Sequence, residues 1–181
     1  VEKPLLQLPS TPYAGNQTLY KEFAVRLIGR TIFCWFLKNK KSSSGVPLIP
    51  DSWLSSSSIT EPQNGYYHLI LEKLFFLVLN KKIEDREGLD LPDFSDTVPF
   101  LNGGLFEPLP GDFFHKNKAN YALVIPDSWF KDLFSTLEQY NFTIDENSNN
   151  DTEVSIDPEM LGTIFENLLA EIDPDTEKSA R

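Results

Sequence analysis

The feature that most restricts the fold is the run Phe33-Cys34-Trp35-Phe36-Leu37, which closes a longer stretch of helical periodicity. From about Thr18 to Asn39, Leu19, Phe23, Leu27, Thr31 and Cys34 or Trp35 recur at three- and four-residue steps. Ile28, Ile32 and Phe36 widen that stripe. A helix with one apolar stripe rests on a core, whereas a helix that is apolar nearly all round must be covered by several neighbours. The run is much shorter than the roughly eighteen unbroken apolar residues of a membrane span, and Arg30 and Lys38 bracket it. The expectation is a central helix inside a mainly α domain.

Further segments can supply the cover. Tyr66 to Asn80 carries Tyr67, Ile70, Leu71, Leu74, Phe75, Leu77, Val78 and Leu79 on a wide apolar face. His68 stands alone there, so no metal or catalytic role is expected of it. Pro126-Asp127-Ser128 starts another helix to about Tyr140, with Trp129 or Phe130, Leu133, Phe134 and Leu137 on its inner side. Asp157-Pro158-Glu159 is a strong helix start: Asp157 can accept from the free N–H groups of the first turn, and Pro158 wastes no donor there. Glu159 suits the positive end of the helix dipole. Leu161, Ile164, Phe165, Leu168 and Leu169 follow on one face.

Small strands are expected at Tyr121 to Ile125 and as a hairpin, Phe142 to Ile144 with Glu153 to Ile156, around a polar tip from Asp145 to Asp151. Residues 42–65 read as an irregular connection anchored by Ile49 to Leu54, with Trp53 on the core, and residues 81–98 as a charged surface loop. Asn102-Gly103-Gly104 predicts a tight turn flanked by buried Phe100, Leu101, Leu105 and Phe106. A phosphate-cradling role for that turn is not supported, because the Gly-x-Gly-x-x-Gly spacing and a following Lys-Ser or Lys-Thr are missing. The fold class expected is mainly α, a multi-helix domain with a small β-hairpin and a loop-rich middle. Residues 1–15 form a linker, 16–172 the helical domain and 173–181 an acidic, polar tail.

Several chemistries are excluded by what the residues lack. No lysine has Asp or Glu two positions earlier, so the carboxylate–lysine pairing of a PD-(D/E)-x-K nuclease is missing. His68 and His115 are the only histidines and Cys34 the only cysteine, too few for a histidine- or cysteine-based zinc site. No Gly-x-Gly occurs, and no Asn-Pro. Acidic pairs such as Glu84-Asp85 and Asp173 with Asp175 lie in polar loops, where solvent keeps them ordinary carboxylates. The lone Cys34 between Phe33 and Trp35 reads as a small buried hydrophobe, and the lack of a partner thiol fits a reducing cytoplasm. The net charge of −11 is concentrated in residues 141–181, which hold 11 acidic and 2 basic residues. That region should be repelled by phosphate and would suit a basic partner surface.

Five stretches, in order, carry a family resemblance: Arg26-Leu27-Ile28-Gly29-Arg30 with Phe33 to Leu37; Leu74-Phe75-Phe76-x-x-Leu79-Asn80; Val98 to Glu107; Tyr140 to Glu146; and Asp157-Pro158-Glu159-Met160-Leu161-Gly162-x-Ile164-Phe165-Glu166-Asn167-Leu168. Together they are similar to the region just ahead of the methyltransferase domain in fused bacterial restriction–modification enzymes, type IIG and related, which join an endonuclease to an adenine-specific DNA methyltransferase. In that family a Thr-Gly-x-Phe-Tyr-Thr-Pro-like motif that helps bind S-adenosylmethionine follows shortly after. Here Arg181 is reached before any such motif, and Val1 stands where Met would open a gene, so the resemblance implies a fragment leading into an adjoining methyltransferase domain. It implies a non-catalytic helical connector that orients nuclease and methyltransferase domains around DNA. S-adenosylmethionine, and Mg2+ where a nuclease is present, would belong to the parent enzyme and not to this segment. No catalytic, cofactor-binding or metal-binding residue carries over, and no target-recognition domain is legible.

The candidate contacts to DNA or to an adjoining domain are Arg26, Arg30, Lys38, Lys40 and Lys41. Arg26 and Arg30 are one helical turn apart and can address one phosphate or one carboxylate; internal or surface ion pairs are the plainer reading. For the lysines, a solubilising role at the negative end of the helix dipole is the plainer reading. Asn102, Gly103, Gly104, Asp157 and Pro158 are the candidate structural positions. The alternative to a connector is an autonomous acidic protein-binding module or DNA mimic, which the charge of residues 141–181 favours. A self-contained enzyme would need a site the residues do not display.

Overall fold

The computed structural model describes residues 17–41, 45–60, 65–86, 89–91, 98–101, 104–112, 114 and 125–139. Helix α1 runs Gln17–Asn39, about 34 Å at 1.5 Å per residue. Its inner stripe is Phe23, Leu27, Thr31, Cys34 and Trp35, all buried, with Phe36 added near the end. The periodicity predicts this stripe with Leu19 at its start and Ile28 and Ile32 beside it, and those three are half-buried; Phe36 closes it on a second side.

The segment expected as an ordinary α-helix is helical but wound more loosely. Tyr67–Leu71 and Leu74–Leu79 are π-helical, joined through Glu72 and Lys73 in right-handed helical geometry. The Glu72 N–H reaches the Tyr67 carbonyl, a five-residue step. Such a step puts residues five apart on one side, so Leu71 aligns with Phe76 and Leu74 with Leu79, and all four are buried. Phe76, which an α-helical wheel leaves out of the face, is thereby brought inside. Ile70 packs against the core while only half-buried.

Helix α2, Asp127–Leu137, starts after an extended Pro126. Its buried residues are Asp127, Phe130 and Phe134, and it lies against the short 3-10 turn Ser56–Ser58. Aromatic rings join the helices: Trp35 stacks on Phe134 with centroids 5.7 Å apart, and Tyr67 lies parallel to Phe130 at 6.4 Å. Phe23 meets Tyr67 edge-on at 6.2 Å. Trp53, in the 3-10 turn Asp51–Trp53, is fully buried. Each large ring of this kind removes 150–250 Å² from water, which explains how loops so poor in regular structure still hold a core.

The described residues are thus mostly helical and contain no strand, only an isolated antiparallel bridge between Lys41 and Pro47. Ile125, the last residue of the strand expected from Tyr121, is buried without strand structure. The expected hairpin, the helix opened by Asp157 and Pro158, and the acidic tail lie outside the described residues. No helix among the described residues is long and apolar enough to cross a membrane.

The middle of the chain departs from expectation around the Asn102-Gly103-Gly104 turn, where Phe100 and Leu101 are half-buried rather than buried. Gly104–Phe106 is a 3-10 turn in which Phe106 is buried but Leu105 is exposed. The turn's apolar flanks predict Leu105 inside. Its carbonyl is instead the inward group, taken by Arg30, and the turn carries the side chain outward. Asn102 and Gly103 lie outside the described residues, and Gly104 does not use a positive φ.

Candidate functional site

The most organised polar constellation lies where α1 meets the loop Gly104–Asp112. Arg26 and Arg30, one turn apart on α1, converge on Asp112, whose side chain has no solvent exposure. Arg26 Nε donates to Asp112 Oδ1 at 2.9 Å, and Arg30 Nη1 lies 3.0 Å from Oδ2. Glu22 stands 3.8 Å from Arg26 as a looser, half-exposed partner. Arg30 also donates through Nε to the Leu105 carbonyl at 2.6 Å and through Nη2 to the Glu107 carbonyl at 3.0 Å, and its guanidinium lies 5.0 Å above the Phe76 ring. The Leu109 N–H donates to Asp112 Oδ2 at 2.9 Å, and the Asp112 N–H returns to the Leu109 carbonyl at 2.9 Å. One buried carboxylate therefore closes the loop on itself and bolts it to α1.

Lys38 forms the second anchor. Its side chain is 7% exposed, and Nζ donates to the Leu54 carbonyl at 2.8 Å. The same ammonium lies 2.9 Å from Asp51 Oδ1 and 3.6 Å from the Trp35 ring centroid. Such a cation holds the connection after α1 onto the helix end rather than solubilising it. Lys40 and Lys41 are exposed. Of the five candidate contact residues, then, three are committed to internal partners and two face outward.

Two further carboxylates tie the elements together. Asp127 Oδ1 accepts from the Tyr66 N–H at 2.9 Å, and the Tyr66 hydroxyl donates to the Trp53 carbonyl. Burial, helped by Cys34 and Asp127, pushes the Tyr66 phenol well above its ordinary value. At the far end of α2, Glu138 accepts from the Ser56 N–H at 2.9 Å and from the Ser56 and Ser55 hydroxyls. Partial burial raises its pKa, but the Ser56 and Ser55 hydrogen bonds and the charge of Lys38 outweigh that, and the net direction is downward. These contacts, like the arginine cluster, are invisible to local spacing because the partners lie about 60 to 90 positions apart.

His68 is buried and meets Glu72 at 2.7 Å, one turn on. The described residues contain no group of three or more His, Cys, Asp or Glu placed to hold a metal ion. A shallow depression of about 140 Å³ lies between Ile59, Tyr66, Leu69, Ile70 and Asp127, room for one side chain and too small for a cofactor, since ligand sites usually run from about 300 Å³ upward.

No family model matches the chain, and no solved structure matches it. Among curated proteins it is 30% identical over 156 residues to a protein of Methanocaldococcus jannaschii named "Putative type II restriction enzyme and methyltransferase". The matched stretch covers 82% of this chain but 12% of that relative. The chain therefore spans about an eighth of the length of a much longer relative, and it is related to a restriction–modification protein.

Proposed function

We propose that this chain is a non-catalytic helical connector of a restriction–modification enzyme, of the fused type IIG-like kind, that fixes the angle between a nuclease and an adenine-specific DNA methyltransferase around DNA. The observation that carries the reading is the internal use of Arg26, Arg30 and Lys38. Residues that a DNA-reading element would aim at phosphates are spent here on holding loops to α1, which is the work of a scaffold. The relative's length supports it, because the stretch it shares with this chain is a small part of a larger protein.

Within the connector, the aromatic core and the ionic anchors keep the two ends of α1 in a set relation to the loops. Of the five candidate contact residues, Lys40 and Lys41 are the two left exposed to meet DNA. S-adenosylmethionine is assigned to the adjoining methyltransferase and Mg2+ to a nuclease where one is present. This chain has neither the glycine-rich loop nor the Asn-Pro pair that the first would use.

The test is to follow the reading frame for about a hundred codons past Arg181 and assay the continuous protein. A Thr-Gly-x-Phe-Tyr-Thr-Pro-like motif, then Asn-Pro-Pro-Tyr, with S-adenosylmethionine-dependent methylation of adenine in DNA, is the expected result. A stop codon there sinks the connector reading. The second reading, an acidic binding module or DNA mimic, has the −9 of residues 141–181 in its favour; salt-sensitive binding to a basic protein by the chain alone would select it.

A further inference from the structure

We infer that the loop Gly104–Asp112 is a preformed docking element, and that its occupant is an adjoining part of the same polypeptide presenting an apolar depression with a basic rim. The inference rests on the connector reading. Leu105 is 37% and Leu109 45% exposed, and Pro108 and Pro110 beside them are exposed as well. The other exposed large apolar residues among those described, Val46, Leu69 and Ile83, sit singly on separate segments, as scattered surface residues ordinarily do. Among the described residues, only this loop carries two exposed leucines.

The loop is also held from beneath. Arg30 binds the carbonyls of Leu105 and Glu107, Asp112 binds the Leu109 N–H, and Phe106 is sunk into the core against Phe33 and Phe75. Pro108 and Pro110 restrict φ on both sides of Leu109. A partner that receives Leu105 and Leu109 would therefore pay little to order them, and preorganisation of this kind raises affinity without adding contacts. A loop needed only for its own stability would gain by turning those leucines inward.

Charge and length decide the occupant. Asp112 is buried, so Glu107 is the exposed charge of the loop, and a complementary surface carries Lys or Arg at its edge. The relative extends far beyond the matched stretch, so the surface that most often meets this loop is one in the same chain, at the high effective concentration that covalent linkage provides.

The experiment places a photo-crosslinking p-benzoylphenylalanine at Leu109 in the continuous full-length protein, with the same group at Ile83 as a control. The expected product is an intramolecular adduct outside residues 1–181, formed from position 109 and absent from 83. An adduct between two copies would assign the loop to self-association and overturn the inference, as would a yield no higher than the control. A second arm replaces Leu105→Ser together with Leu109→Ser. The double variant should leave the thermal midpoint of the 181-residue chain within roughly 2 °C and abolish the crosslink that the same group forms when it is placed at Pro108 instead. Methylation without the crosslink would overturn this inference alone. A crosslink without methylation would overturn the proposed function alone, and a reading frame closing at Arg181 would overturn both.

Discussion

Arg26 and Asp112 are 86 positions apart in the chain and 2.9 Å apart in the fold. Arg30 approaches the other oxygen of the same carboxylate at 3.0 Å, so a single buried acid balances two cations. Buried ion pairs of this sort are costly to assemble and costlier to break, because removing one partner strands the others away from water.

Asp112→Asn should therefore lower unfolding stability by about 3 kcal/mol or more, although it keeps the side chain's shape. Urea denaturation measures it. A loss under about 1 kcal/mol would mean that solvent already screens the two arginines.

Gly111 lies under the same cluster. A Cβ there would sit 2.8 Å from Arg26 Nη2 and 3.0 Å from Leu19 Cδ1. The guanidinium could swing aside if it were free, but Asp112 holds it. Gly111→Ala is expected to cost about 1 kcal/mol as overpacking, and an unchanged thermal midpoint would show the loop yielding instead.

Lys38 and its neighbours separate an internal cation from surface ones. Lys38→Ala leaves the Leu54 carbonyl without that donor and should cost about 1–3 kcal/mol. Replacing Lys40 and Lys41 together by Ala should stay within about 0.5 kcal/mol. In a DNA-binding parent enzyme the second pair would instead flatten the dependence of affinity on salt. The opposite ranking in chemical denaturation would contradict the burial of Lys38.

Glu138 supplies a pH test. Burial raises the folded-state pKa of Glu138, but the Ser56 and Ser55 hydrogen bonds and Lys38 outweigh it and lower the pKa from 4.5. The carboxylate form is the favoured one, so its contribution is complete above pH 4.5 and is lost as pH falls through the lowered folded value. The group is largely exposed, so solvent screening keeps the effect under about 1 kcal/mol. Glu138→Gln should be less stable than the parent at pH 7, with the difference closing in the acid range below pH 4.5. A gap that widens on acidification would have the wrong sign.

Cys34 reports on opening of the core. Burial pushes its thiol well above the ordinary 9.0, only partly opposed by Arg30, and the side chain has no solvent exposure. A thiol reagent at pH 8 should label it slowly in the native protein and promptly in denaturant. Rapid native labelling would place Cys34 at the surface.

Much of the helical frame is legible in the residues themselves. Phe23, Leu27, Thr31 and Cys34 mark the inner side of α1 because helical side chains three and four apart share a face, and Pro126-Asp127 marks the start of α2. Trp53 is equally readable, as a large ring in an otherwise polar connection. The winding of Tyr67–Leu79 is not, since α- and π-helical turns use the same apolar residues and only packing selects between them. Leu105 misleads for a related reason: an apolar residue beside a turn is expected inside, but the inward position there is occupied by its own carbonyl.

The sequence by itself determined the helical class, the central place of α1, the ring-rich core and the absence of a familiar catalytic or cofactor motif. Those properties follow from periodicity and composition, which act over a few residues. Only the tertiary structure decided what the charges do. On the chain Arg26 and Arg30 fit an internal or surface ion pair as well as a phosphate contact, and Lys38 reads as a helix-end charge; they become internal anchors because Asp112, Asp51 and the carbonyls of Leu105, Glu107 and Leu54 are brought to them. A charge costs too much to bury without a partner, and for the arginines that partner lies 75 to 86 residues away, beyond the reach of any local pattern.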